Sequence, residues 1–262
     1  MAKLQIIGGG RMGEALLAGL IAADWAPAHE LRIVEPVEGR RDELADRYPQ
    51  VEVGAEPGPA DGAVVAVKPD VVVAACQALG ADPGRVLSIA AGVTLATLEG
   101  ALPAGTPVVR AMPNTPALIG AGAAAIAPGR HADEDDLDWA EGVLGAVGVV
   151  VRVPEAQLDA VTGLSGSGPA YVFLVAEALV EAGVLAGLSR DVAERLAGQT
   201  LLGAARLVTE GEDDPATLRA AVTSPGGTTA AGLRVLESSA VRSAFLEAVQ
   251  AATERSRQLG QG

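Results

Sequence analysis

The feature that most constrains this fold lies at the start of the chain. A short apolar run, Leu4–Ile7, leads directly into Gly8-Gly9-Gly10-Arg11-Met12-Gly13, and a helical pattern of Ala15, Leu16, Gly19, Leu20 and Ala23 follows. Glycines 8, 10 and 13 match G-x-G-x-x-G in the context that gives the spacing meaning, with a strand before it and a helix after. The first glycine allows a tight turn and the second lets backbone approach a pyrophosphate. The third lets helix pack on strand, and the phosphates then meet the helix N-terminus. The spacing predicts a dinucleotide site; a Gly-rich turn in a Rossmann-like domain that binds something else is the alternative.

Short apolar runs recur at residues 31–34, 63–67, 85–89, 108–111, 123–127 and 149–153, with helical patterns at 40–48 and 71–79. This alternation predicts an α/β fold, a Rossmann-like doubly wound sheet over residues 1–153. After Pro154 no strand pattern remains, and residues 154–262 read as an all-α domain. Between Tyr171 and Leu188, Val172, Val175, Ala176, Leu179, Val180 and Gly183 mark one helical face, with Glu177 and Glu181 on the other. Residues 190–208 are apolar on more than one side, which demands wide burial. A domain of roughly 110 residues has little interior for several such helices, so a subunit interface and at least a homodimer are expected.

Composition narrows the function. Net charge is −14, from 33 acidic and 19 basic residues, which argues against nucleic acid and anionic membrane surfaces as partners. Cys76 is the single cysteine, and His29 and His131 are far apart in the sequence with no second histidine or cysteine at ligand spacing, so no metal site is expected. The start lacks a basic segment followed by a long apolar one, and the greasiest stretches, 117–127 and 142–151, are short for a bilayer. A soluble cytoplasmic protein is the expectation.

Two further segments carry chemistry. Glu35 ends the second strand, 22 residues past Gly13, where an acid can bind ribose hydroxyls and favour NADH, yet Arg40 and Arg41 follow closely and can hold the 2′-phosphate of NADPH. Near the other end, Ser224-Pro225-Gly226-Gly227-Thr228-Thr229 forms an uncharged turn between helical patterns. Adjacent glycines there can turn successive N–H groups toward one point, making an anion nest flanked by three hydroxyls.

Three more motifs complete a pattern: Val67-Lys68-Pro69, Arg110-Ala111-Met112-Pro113-Asn114-Thr115-Pro116, and Leu164-Ser165-Gly166-Ser167-Gly168-Pro169-Ala170-Tyr171. With the N-terminal glycines and the 224–229 turn, the chain resembles pyrroline-5-carboxylate reductase over essentially its whole length. The resemblance implies a Rossmann domain with a helical dimerisation domain, often assembled into rings of dimers. It also implies NADPH- or NADH-dependent reduction of 1-pyrroline-5-carboxylate to L-proline. Carried over by motif, Gly8, Gly10, Arg11, Met12 and Gly13 would hold the pyrophosphate, with Glu35 at the ribose. Lys68 and Pro69 would lie near the nicotinamide ribose and amide, and Asn114 would orient the nicotinamide half. Ser224, Gly226, Gly227, Thr228 and Thr229 would receive the substrate carboxylate. The segment Glu35-Pro36-Val37 departs from the polar segment common in the family and leaves NADPH preference open.

None of the motifs contains a histidine or an acid–base pair. A cyclic imine is basic enough to be substantially protonated near neutral pH, so positioning can carry catalysis. Thr229 is the candidate for hydrogen bonding the imine nitrogen or the new amine, with a plain helix N-cap as its alternative. Hydroxyacid dehydrogenases of similar architecture use a lysine of the helical domain, but the only lysines are Lys3 and Lys68. A non-catalytic dinucleotide-binding protein is the other alternative; it gives no reason for an intact 224–229 turn.

Overall fold

Runs of four or five aliphatic residues, buried on both sides, are what a parallel sheet covered by helices requires. In the computed structural model, which describes residues 1–260, the strands are β1 (Leu4–Ile7), β2 (Leu31–Val34), β3 (Glu52–Gly54), β4 (Gly62–Val65), β5 (Arg85–Ser88), β6 (Val108–Met112), β7 (Gly122–Pro128) and β8 (Gly148–Arg152). They form one sheet in the order β3-β2-β1-β4-β5-β6-β7-β8. All neighbours pair in parallel except β6 with β7. The order reverses between β1 and β4, as in a doubly wound sheet.

The chain divides into two compact units, Met1–Ser167 together with the segment beginning at Gln250, and Gly168–Val249. In the first, Leu4, Ile6, Leu31 and Ile33 point to one face of the sheet and meet Leu16, Leu17 and Leu20 of α1 (Arg11–Ala22), Leu44 of α2 (Glu38–Arg47) and Leu137 and Leu144 farther along the chain. Ile7, Val34, Val65 and Val86 point to the other face, against Val72 and Cys76 of α3 (Val72–Ala78) and Leu98 of α4 (Leu95–Ala101). Burial alone pushes the Cys76 thiol up to about 11, so it stays protonated and acts as packing. Helix α5 (Glu134–Gly145) starts at a capping box in which Asp133 and Asp136 exchange side chain-to-backbone bonds. After it come α6 (Leu158–Val161) and a π-helical turn, Thr162–Gly166, both within the first unit. The sequence texture changes at Pro154, whereas this unit runs on to Ser167.

The second unit is helical: α7 (Gly168–Leu185), α8 (Arg190–Glu210), α9 (Pro215–Ala221), α10 (Thr228–Ser238) and the start of α11 (Val241–Leu259), whose end belongs to the first unit. Helices α7 and α8 close a hairpin at Gly187, whose φ of +103° turns the chain. They approach so tightly that a Cβ on Gly183 would lie 3.0 Å from that of Ala193. Only Ala193 and Ala197 are buried in this unit. By length and composition, the helical stretch Glu155–Leu185 is apolar enough to cross a bilayer. The sequence reading singled out 117–127 and 142–151 as the greasiest stretches instead. The π turn keeps Glu155–Leu185 helical.

Candidate active site

The glycine loop follows β1 at the carboxyl end of the parallel strands, where open α/β sheets bind ligands. Gly8 adopts φ +109°, and a Cβ there would lie 2.6 Å from the carbonyl oxygen of Ala66. A Cβ on Gly13 would fall onto the carbonyl oxygen of Gly8. The protein itself therefore requires both glycines. Gly10 differs: its φ is an ordinary −69°, it is exposed, and a Cβ there would meet nothing within 4 Å. A bulkier residue would fit the bare protein, so the open space over Gly10 is room for something outside it. Helix α1 starts there without a side-chain cap, leaving its first N–H groups available to an anion. These features fit a dinucleotide pyrophosphate. Arg11 is exposed at the rim, and Met12 packs against the core.

A charged clamp holds the loop from behind. Glu35, only 9% exposed, accepts the Gly9 N–H through Oε2 at 3.0 Å and the Val37 N–H through Oε1 at 3.0 Å. Arg40 Nε donates to the Gly9 carbonyl at 2.8 Å, so the peptide units on both sides of Gly9 are held. The other Arg40 nitrogens pair with Glu14 and Glu43. Burial raises the Glu14 pKa, but hydrogen bonds from Arg40 and Arg47 outweigh it and hold the carboxyl below the ordinary glutamate range. Arg41 uses Nη1 on the carbonyls of Glu35 and Pro36. Sequence spacing set Glu35 against Arg40 and Arg41 as rival readers of the ribose. The geometry gives Glu35 and Arg40 a shared task, bracing the loop.

Lys68 and Pro69 follow β4 and are exposed; the preceding Val67 and Ala66 touch Gly8. Beyond them, in the first unit, lies a cavity of about 640 Å³ lined by Pro69, Ala91, Gly92, Thr162, Ser167 and Arg255 among others. Its size suits a small-molecule site. Asn114 stands at the end of β6, with Oδ1 accepting from Ala123 N at 2.9 Å and Nδ2 donating to Ser165 O at 3.1 Å. The side chain expected to orient a nicotinamide thus ties β7 to the π turn, and its influence runs through that turn. The Ser165–Pro169 segment supplied no signal for this; the Asn-Thr-Pro tripeptide did, as a rigid loop with an amide to anchor it.

The turn at 224–229 belongs to the second unit. Gly226 adopts φ +69° with open space around its Cβ position. Gly227 is extended, φ −77°, so the expected pair of positive-φ glycines is not what forms the turn. Gly227 is needed for close approach, since a Cβ would strike the Ser224 hydroxyl. Its N–H closes the turn onto the Ser224 carbonyl at 3.1 Å, which removes it from any nest. Gly227 is also the N-cap of α10, and no side chain caps that helix. Thr228 and Thr229 therefore lie inside the first turn, where N–H groups lack intrahelical partners. The capping alternative for Thr229 does not hold. By contrast α9 is capped by a side chain: Asp214 accepts from Ala216 N at 2.8 Å and Thr217 N at 2.9 Å.

Comparison with known proteins bears on the whole chain. Residues 155–259 match the family model for pyrroline-5-carboxylate reductase dimerisation, and residues 3–92 match that for NADP oxidoreductase, coenzyme F420-dependent. A pyrroline-5-carboxylate reductase of Synechocystis sp. is 50% identical over 98% of each chain. One from Mycobacterium tuberculosis is 46% identical, covering 99% of this chain and 97% of its own. The solved reductase of Coxiella burnetii superposes with a TM-score of 0.93 at 38% identity, covering 98% of each chain. That of Plasmodium falciparum, solved with NADP bound, gives 0.85 at 29% identity over 99% and 98%. At such identity over nearly the full length, the chain belongs to the pyrroline-5-carboxylate reductase family.

Proposed function

We propose that this chain reduces 1-pyrroline-5-carboxylate to L-proline with NADPH or NADH, the final step of proline biosynthesis. The observation that carries the reading is a braced glycine loop with open space over Gly10, in a chain up to 50% identical along its length to reductases of this name. Gly8, Gly10, Arg11, Met12 and Gly13 would hold the pyrophosphate, with Glu35 behind them and Lys68 and Pro69 toward the nicotinamide half. When bound, the reduced nicotinamide supplies a hydride.

The protein's own contribution is binding and alignment. The first N–H groups of α10, with the hydroxyls of Ser224, Thr228 and Thr229, suit a carboxylate. Thr229 is half-buried, and no partner for its hydroxyl is found among the described residues. It can donate to or accept from the ring nitrogen. Alignment of this kind supplies roughly 7–11 kcal/mol of barrier reduction, enough to dispense with a strong general acid. The helical unit would act as a homodimer, extendable to a ring of dimers, in the cytoplasm. Loss of reduced-nicotinamide absorbance on adding 1-pyrroline-5-carboxylate, run in parallel with NADH and NADPH, tests the reading. Oxidation is the expected result. None from a folded, cofactor-binding preparation would overturn it.

A further inference from the structure

The π-helical turn Thr162–Gly166 departs from α geometry at one place in a long helical stretch, and such departures gather at functional sites. Two ties hold it to the segment 110–114, and a third holds the start of the same helical stretch. Asn114 Nδ2 donates to Ser165 O at 3.1 Å. Gly166 rests on Met112, whose Cε would lie 2.6 Å from an added Cβ. Arg110, 8% exposed, pairs at 2.9 Å with Glu155, which also accepts Leu95 N at 2.7 Å. The hydroxyls inside the turn are engaged, Thr162 on the Leu158 carbonyl at 2.9 Å and Ser165 on that of Val161 at 3.1 Å. The Ser167 hydroxyl, at the turn's exit, has no partner among the described residues.

Ser167 lines the 640 Å³ cavity together with Pro69, Ala91 and Gly92. Those three residues sit in the loops after β4 and β5. A dinucleotide whose pyrophosphate lies on the β1 loop, with its adenosine toward β2, carries its nicotinamide half over the strands on the other side of the switch point. Those strands are β4 and β5. The nicotinamide ring offers one polar substituent, its carboxamide, which both donates and accepts as a hydroxyl does.

We propose that Ser167 is a cofactor-binding residue whose hydroxyl holds the nicotinamide carboxamide, and that Asn114 is the positioning residue that sets it there by clamping the π turn. Fixing the carboxamide fixes which face of the ring is offered to the imine. The proposal rests on the dinucleotide reading above and adds the group that orients its reactive end.

Calorimetric titration of the full chain with NADPH and with 2′-phospho-ADP-ribose, which lacks the nicotinamide, tests it. Ser167→Ala should weaken NADPH by roughly three- to tenfold and leave the fragment unchanged, and Ser167→Thr should restore NADPH affinity. Asn114→Ala should reproduce that selective loss. NADPH affinity unchanged in Ser167→Ala, or NADPH and fragment weakened alike, would overturn the proposal. Failure of the wild-type chain to bind either molecule would overturn the dinucleotide reading itself, and this proposal with it.

Discussion

The two units of this chain solve the burial problem in opposite ways. In the first, Leu4, Ile6, Leu16, Leu20 and Ile33 are fully buried, and helices cover both sheet faces. In the second, only Ala193 and Ala197 are buried, while Phe173, Leu174, Leu196, Leu202 and Leu246 are more than half exposed. Exposed apolar surface on that scale marks an interaction face, and this unit lies within the match to the dimerisation family model. One unit closes its core alone, and the other leaves its apolar faces uncovered within the chain. The candidate segments of the two units differ in the same way. The glycine loop is braced by its own unit, whereas the 224–229 turn leaves N–H groups and hydroxyls open.

The largest effect that could break this comparison is on assembly. Phe173→Glu places a charge on the uncovered face of α7, and it should give a monomer by light scattering, with turnover down roughly a hundredfold or more. NADPH binding should survive. A dimer of normal activity would show that α7 is not part of the interface. Next come the glycines, which separate what the fold needs from what the ligand needs. Gly13→Ala collides with the Gly8 carbonyl and should cost about 1–3 kcal/mol in urea unfolding, with dinucleotide binding lost. Gly10→Ala should melt like wild type yet bind NADPH about tenfold more weakly. Equal melting losses in the two variants would erase the distinction.

Glu35→Ser removes the acceptor for Gly9 and Val37 and should cost about 1–3 kcal/mol. Affinity for both cofactors should fall, and the NADPH-to-NADH affinity ratio should rise as the carboxylate is removed. A changed ratio without a stability change would return Glu35 to simple ribose reading. The smallest effect is in acid. The Glu14 pKa is depressed in the fold, so its contribution is present above the ordinary glutamate range and is lost as pH falls through the folded value. Arg47→Gln should narrow the stability gap between pH 7 and acid by about 0.5 kcal/mol, measured by urea midpoints. A wider gap would contradict the assignment.

Much of the first unit is legible because its signals are local. A strand–glycine–helix passage and buried four-residue runs need no knowledge of distant partners. The edge strand β3 escaped because Glu-Val-Gly is short, partly charged and exposed. Helix α5 escaped although Asp133 and Asp136 spell its capping box, since its first turn, Glu-Asp-Asp, is acidic and its apolar positions are few before residue 143. The site was legible as a set of positions and less so as a set of contacts. Glu35 spacing matches a ribose acid, but only the fold shows both carboxylate oxygens on backbone N–H groups. Asn114 reads as a ligand until Ser165 and Ala123, distant in sequence, are seen around its amide. Gly227 was assigned its turn for conformational freedom, and the fold asks it only to be small.

Thr229→Val tests the division of labour most directly, because it removes one hydroxyl from the turn and touches nothing in the first unit's glycine loop. Steady-state turnover with 1-pyrroline-5-carboxylate and NADPH affinity should be measured on the same preparation. The account predicts kcat lower by roughly tenfold with the NADPH Kd unchanged. Unchanged kcat would remove Thr229 from the chemistry, and a parallel loss of NADPH affinity would contradict the separation of the two roles.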